Sequence, residues 1–278
     1  MTVNARRERI LELVKRSGYI AIEELVTQFR VTPQTIRADL NLLADEGRLV
    51  RHHGGASMPS SVSNTSYVLR RSEFAREKAM IAQRVALWLP DRCSVFLSLG
   101  TTMLAVAHAL RIRTELKVIT NNLEAAQALV AQPGIEVIVL GGRLESRNLG
   151  VSGTSTLAAV EQYRADVCLF SVGGIDAEGS LLDYHESEAA VVRSMLQRSR
   201  RRVLVIDHSK FGRTASVRIG SITEVSAIVT DQALPPNIRT LLRRHPVEVL
   251  TAGGGKAEPV SRRGTARSRP APPTPSPS

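Results

Sequence analysis

The sequence predicts an α/β chain in two unequal parts: an N-terminal winged helix-turn-helix, then a larger α/β domain built on a mostly parallel sheet. Three observations lead there. Short amphipathic helices with recognisable caps and stops crowd residues 1–56. Beyond residue 94, near-continuous apolar runs alternate with helical stretches, as in strands buried on both faces of a parallel sheet. Between the two lies a segment rich in Ser, Asn, Pro and Thr, which has little to bury.

The elements follow in order. Ile10, Leu11, Leu13 and Val14 recur at helical spacing, and Gly18 stops that first helix. Ile22, Leu25, Val26 and Phe29 mark a short second helix. Thr32 caps a third, with Pro33 at its first position, where a missing N–H costs nothing. The buried stripe of this third helix is Ile36, Leu40 and Leu43, and Gly47 ends it. Arg48 to His53 alternates briefly like a strand and Gly54-Gly55 turns it, completing a small β wing. The expected boundaries are 1–56 for this module, 57–71 for a linker, 72–252 for the second domain and 253–278 for a tail. A helix from about Ser72 to Leu89 should open the second domain. Strands are expected at 94–99, 116–120, 136–142, 167–174, 202–207 and 226–231, with helices at Met103–Leu110, Leu123–Ala131 and Glu186–Arg198. The tail holds six of the 13 prolines and should be disordered.

Composition narrows the class. The chain has 278 residues, 43% hydrophobic and 23% charged, which suits a globular protein. Its formal net charge of +11 favours an anionic partner. Cys93 and Cys168 lack any ligand spacing and are expected to be reduced core thiols, so no metal is implied. The N-terminus is not a signal peptide, and no apolar run approaches the roughly 20 residues of a membrane span, so a cytoplasmic protein without membrane contact is expected.

In a helix-turn-helix the second helix of the motif enters the DNA major groove and reads base edges from its N-terminal turns. Here Gln34, Thr35, Arg37 and Asn41 face outward behind the Thr32 cap. Gln suits adenine, Arg suits guanine or phosphate, and Thr32 with the helix N–H groups suits a backbone phosphate. Arg48, Arg51, His52 and His53 would lie on the wing. The partner implied is double-stranded operator DNA.

The second domain offers three loops at strand ends, where ligands collect in open α/β sheets. Backbone N–H groups of Gly100, Thr101 and Thr102 could hold a phosphate at a helix N-terminus. Lys210, in DHSKFGR, could join them, and GGIDAEGSLLDYHESE brings carboxylates for hydroxyl groups.

Residues 6–56, with VTPQTIRADLN and RHHGGA, resemble the N-terminal signature of DeoR-family transcriptional regulators. The remainder resembles that family's C-terminal sensor domain, whose fold is related to sugar isomerases. Within the family, QTIRADLN, RHHGGASMPSSVSNT, VITNNL, GSLLDYHESE and VIDHSKFGR match members that govern glycerol metabolism genes. The resemblance therefore implies a repressor, homo-oligomeric as a dimer or tetramer, released from its operator by the small phosphorylated effector sn-glycerol 3-phosphate. Carried over by position, Gly100, Thr101, Thr102 and Lys210 hold the phosphate, and Asp183 with Glu186 or His185 holds the hydroxyls. Two positions depart from the family pattern: Ala38 replaces a second arginine and Ser98 an acid. No cofactor is implied.

Other readings stay open on the residues themselves. The sensor could answer a different sugar phosphate. An isomerase could use Asp183 or Glu186 as a proton-transfer base, with no use for a DNA module. A purely structural oligomerisation module would leave the phosphate-type loops unexplained.

Overall fold

The computed structural model of the chain describes residues 2–46, 48–58, 64 and 66–253. Gly47 as a helix stop, much of the expected linker and nearly all of the expected tail lie outside the described residues.

The first module packs three helices on a three-stranded antiparallel sheet of order β1-β3-β2. Helix α1 (Val3–Ser17) ends at Gly18, whose φ of 74° is one that glycine adopts without steric cost. After β1 (Tyr19–Ala21) comes α2 (Ile22–Phe29), which stops at Arg30 in the left-handed conformation. In α3 (Pro33–Asp45) the Thr32 hydroxyl accepts from the Thr35 N–H at 3.2 Å. The wing is β2 (Val50–His52) and β3 (Gly55–Ser57). A Cβ on Gly55 would sit 2.2 Å from the Ile20 carbonyl oxygen, so only glycine lets β3 lie against β1. Ile10, Val14, Leu25, Ile36, Leu40 and Leu43 are fully buried between these elements.

Two helices, α4 (Tyr67–Ser72) and α5 (Ala75–Trp88), enter the second domain. This corrects the expected linker of 57–71 and the single helix from Ser72. The low-complexity composition ends at Ser66, whose hydroxyl caps α4 by accepting from the Leu69 N–H at 3.4 Å. Between the helices Phe74 turns left-handed, with φ of 51°, and breaks the axis.

The main sheet has seven strands, all parallel: β4 (Ser94–Leu97), β5 (Leu116–Thr120), β6 (Ile135–Val139), β9 (Ala165–Phe170), β12 (Ser199–Val205), β14 (Ala227–Thr230) and β15 (Glu248–Thr251). Their order is β15-β14-β12-β9-β4-β5-β6. Along β4, Val95 and Leu97 face one layer while Phe96 faces the other, the two-residue period of a strand. The first layer is α5, α6 (Thr101–Leu110) and α7 (Leu123–Leu129); the second is α8 (Thr154–Glu161), α9 (Glu186–Gln197) and α10 (Pro236–Leu242). Cys93 and Cys168 are buried free thiols, pushed up to about 11 and about 12 by burial. A hairpin of β7 (Arg143–Glu145) and β8 (Gly150–Ser152) flanks this sheet in sequence, and a separate antiparallel sheet holds β10 (Gly174–Ile175), β11 (Ser180–Asp183) and β13 (Val217–Ser221). No helix among the described residues is long and apolar enough to cross a membrane.

Candidate functional site

The outward face of α3 presents Gln34, Arg37, Ala38 and Asn41 to solvent, with Thr35 half-buried and Thr32 exposed at the cap. On the opposite side Asp39 is buried, and the Nε atoms of Arg6 and Arg7 donate to its carboxylate at 2.6 and 2.8 Å. Two of the basic residues near the N-terminus thus lock α1 onto α3 rather than extend the basic surface. Arg48, Arg51 and His53 are exposed on or beside the wing, and Arg48 donates to Glu8 at 2.7 Å. His52 departs from the expected wing surface. It is 4% exposed, with Nε2 2.7 Å from the Ser57 hydroxyl and Nδ1 2.6 Å from the Glu73 carboxylate. Strand alternation explains this: with Arg51 and His53 outward, His52 must turn in.

The second site lies where the strand order reverses. From β4 the chain winds outward through β5 and β6, then returns to β9 on β4's other side. The crevice beyond the carboxyl ends of β4 and β9 is the place such sheets bind ligands. A cavity of about 50 Å³ opens there, lined from these two strands by Leu99–Thr102 and Ser171–Gly173. Gly100 takes φ 121° and ψ 159° at the N-terminus of α6, a backbone that side-chain-bearing residues rarely adopt. That turn aims the unpaired first N–H groups of α6 at the cavity. The Asn122 amide and the Thr120 hydroxyl brace it, donating to the carbonyls of Gly100 (3.5 Å) and Leu97 (2.7 Å).

The cavity lining carries both cations and carboxylates. Lys210, from a 3-10 turn after β12, is pushed down to about 8 by burial, with Arg213, Arg70 and Lys78 adding repulsion and Asp207 opposing it. Asp183, at the end of β11, is pushed up to about 6 by burial; the Tyr184 N–H bond lowers it, the Glu188 charge raises it, and Lys210 and Arg70 pull it back. Glu188 is buried in the cavity wall, where its carboxylate accepts from Arg147 Nε at 3.1 Å. Asn148 also lines the cavity, and its buried Oδ1 has no hydrogen-bond partner among the described residues.

Of the residues expected here, Gly100, Thr101, Thr102, Asp183 and Lys210 come together. His185 and Glu186 do not line the cavity: His185 takes the N-cap position of α9 and Glu186 is exposed. Helical geometry decides this, because Glu188 and Val192, four apart, turn one face of α9 inward and Glu186 falls off that face. Sequence reasoning does not find Arg70, which reaches the cavity from α4; a stretch taken for linker carries no signal that a side chain in it is half-buried against the second domain. Among the described residues no cluster of side chains is arranged to hold a metal ion. Chemically, the arrangement can hold an anion between α6, Lys210 and Arg70, and hydroxyl groups at Asp183, Glu188 and Asn148.

Two family models match the chain: the DeoR-like helix-turn-helix domain over residues 6–62 and the DeoR C terminal sensor domain over 73–232. The glycerol-3-phosphate regulon repressor of Escherichia coli (strain K12) is 43% identical over 249 residues, covering 90% of this chain and 99% of that protein. The HTH-type transcriptional repressor CsqR of the same organism is 38% identical over 250 residues, covering 90% and 96%. Among solved structures, ribose 5 phosphate isomerase A from Neisseria gonorrhoeae overlays with a TM-score of 0.36 at 12% identity, over 48% of this chain and 52% of that one.

Proposed function

Because the chain belongs to the DeoR family of DNA-binding transcriptional regulators, and is not an enzyme, we propose that it represses glycerol metabolism genes and leaves its operator when sn-glycerol 3-phosphate binds the second domain. The observation that carries this reading is the cavity's mixed lining of anion-binding and hydroxyl-binding groups. The N-terminus of α6, Lys210 and Arg70 line one cavity with Asp183, Glu188 and Asn148. A phosphate suits the first set, since amide N–H groups and cations stabilise an anion. A short polyol suits the second, since carboxylate and amide oxygens accept hydroxyl protons. The near full-length likeness to glycerol-3-phosphate regulon repressors supports that effector.

Thr32, Gln34, Thr35, Arg37 and Asn41, with Arg48, Arg51 and His53, form the proposed DNA surface. Paired subunits would place two α3 helices in successive major grooves. A second reading keeps the same mechanism with a different phosphorylated sugar or polyol. It rests on CsqR, a repressor nearly as similar over the same length.

The test is operator affinity at fixed salt, on a fragment the protein selects from a random pool. It is measured alone and with sn-glycerol 3-phosphate, glycerol, or a panel of other sugar phosphates. Weakening by sn-glycerol 3-phosphate and not by glycerol is expected. Equal potency of glycerol would sink the phosphate site, and a response confined to another phosphate would favour the second reading.

A further inference from the structure

The joint between α4 and α5 touches both sites at once. On its DNA side, the Glu73 carboxylate lies 2.6 Å from His52 Nδ1 of the wing, and both groups are buried. On its cavity side, the Arg70 side chain lines the cavity, and the Arg70 carbonyl accepts from the Thr101 hydroxyl at 3.2 Å. Lys78, buried on the first turn of α5, ties the two together: its ammonium donates to the carbonyl of Glu73 at 2.6 Å and to that of Arg70. Phe74 adds a third tie, its ring packing edge-on against His208, two residues before Lys210, at 5.2 Å between centroids. Farther along α4, Tyr67 and Arg71 both donate to Glu124 in the first turn of α7.

This joint is held by its surroundings rather than by its own backbone preference. Phe74 holds a left-handed backbone that is unfavourable for a non-glycine residue, so its surroundings keep it there. The cavity beneath it is lined by Arg70 from α4 together with Gly100–Thr102 and Lys210. An anion bound there would attract the Arg70 guanidinium, and through it the short helix α4. Charge acts the same way. Burial opposes ionisation of Glu73, but His52, Arg213 and Lys210 hold its carboxyl below the usual range. A phosphate on Lys210 and Arg70 would cancel part of that positive field.

We propose that Glu73 is the positioning residue that couples the two sites: a phosphorylated effector in the cavity draws Arg70 and α4 inward, pulls Glu73 off His52, and so frees the wing from the posture that fits the operator. The proposal rests on the regulatory reading above, but not on which phosphate is the effector.

The experiment uses the full chain and the variants Glu73→Ala, Glu73→Gln and His52→Gln, each checked for wild-type thermal unfolding. Two quantities are measured: affinity for sn-glycerol 3-phosphate by calorimetry without DNA, and operator affinity with and without that compound. Glu73→Ala should bind the effector within about threefold of wild type, or more tightly. Its operator affinity should already sit near the induced level, and its response should shrink from the typical coupling range of about 5–150-fold to under about twofold. Glu73→Gln, which keeps the shape, should lie between. Wild-type operator affinity and a full response in Glu73→Ala would overturn the proposal. Loss of effector binding would overturn it too, because Glu73 would then belong to the cavity. An effector-free arm decides the matter if sn-glycerol 3-phosphate proves to be the wrong compound. The effects of Glu73→Ala and His52→Gln on operator affinity should be strongly non-additive, as for groups that act through one contact. Additive effects would overturn the coupling while leaving the proposed function to its own test.

Discussion

Asp183 and Lys210 sit in one cavity with opposite displacements: the carboxyl is pushed up to about 6 and the ammonium down to about 8. Between those values both are charged, and both charges are costly where they stand. For an acid raised in the fold, the folded state binds more protons than the unfolded one between its ordinary value and the raised one. Its contribution to stability therefore falls as pH climbs through that window. Asp183→Asn should accordingly raise the unfolding temperature at pH 7.5 and leave it unchanged near pH 3, where the carboxyl is protonated in both states. Thermal unfolding at the two pH values checks this, and an equal shift at both would refute it. Function reads the same charges differently. Effector affinity should fall as pH rises through 8 and Lys210 loses its proton, and titration calorimetry across pH 6.5–9 would show it. Lys210→Ala should keep operator binding and lose the effector response, giving a repressor that cannot be induced. A wild-type dose response in Lys210→Ala would remove Lys210 from the site.

At the scale of elements, α3 has two faces with separate duties. Its inner face carries Asp39, where two guanidinium groups converge on a carboxylate that is 2% exposed. Asp39→Ala should destabilise the N-terminal module by about 1–3 kcal/mol, read by denaturant unfolding, because the hydrogen bonds to a charged partner are lost while the arginines can still reach water. Its outer face carries Arg37 beside Gln34. Arg37→Ala should weaken operator binding by about 1–3 kcal/mol and relax preference at one base pair if the side chain reads guanine. Uniform weakening across sequences would place it on phosphate instead, and unchanged affinity would remove α3 from the groove. The short helix α4 shows why the 57–71 stretch is hard to assign from sequence. Its six residues are too few for a clear hydrophobic period, and its fold depends on Lys78 from the next helix and on Glu124 and Thr101 from farther along the chain.

For the whole molecule, a regulator with two sites must show reciprocal linkage. If effector weakens operator binding by about 1–3 kcal/mol, operator must weaken effector binding by the same factor. Measuring both affinities in both states tests this without any variant. The basic residues beyond the described fold act on another term. Arg262, Arg263, Arg267 and Arg269 add positive charge in a sequence of Ser, Gly, Thr, Ala and Pro. Deleting residues 256–278 should lower non-specific DNA affinity and flatten its dependence on salt, since fewer counterions are released, while the effector response persists. A deletion that abolished the response would make the C-terminal segment part of the switch.

The sequence by itself determined what local chemistry dictates. The Thr32 cap, Pro33 and the Ile36–Leu40–Leu43 stripe specify α3, and apolar runs such as LKVIT specify the strands of a sheet covered on both faces. The strand-to-helix turn at Gly100 is legible because one glycine and one helix start suffice to make it, and it carries the proposed anion site. Those signals lie within a few residues of each other, so no folding is needed to see them. Only the tertiary structure decided which distant residues meet. It brought Arg70 and Glu188 into the cavity, left Glu186 outside, and turned His52 away from the DNA-facing surface onto Glu73. The physical reason is that burial of a charged side chain depends on partners supplied from far along the chain. A pattern of residue types fixes which face of an element is apolar, but not which opposite charge will stand against it.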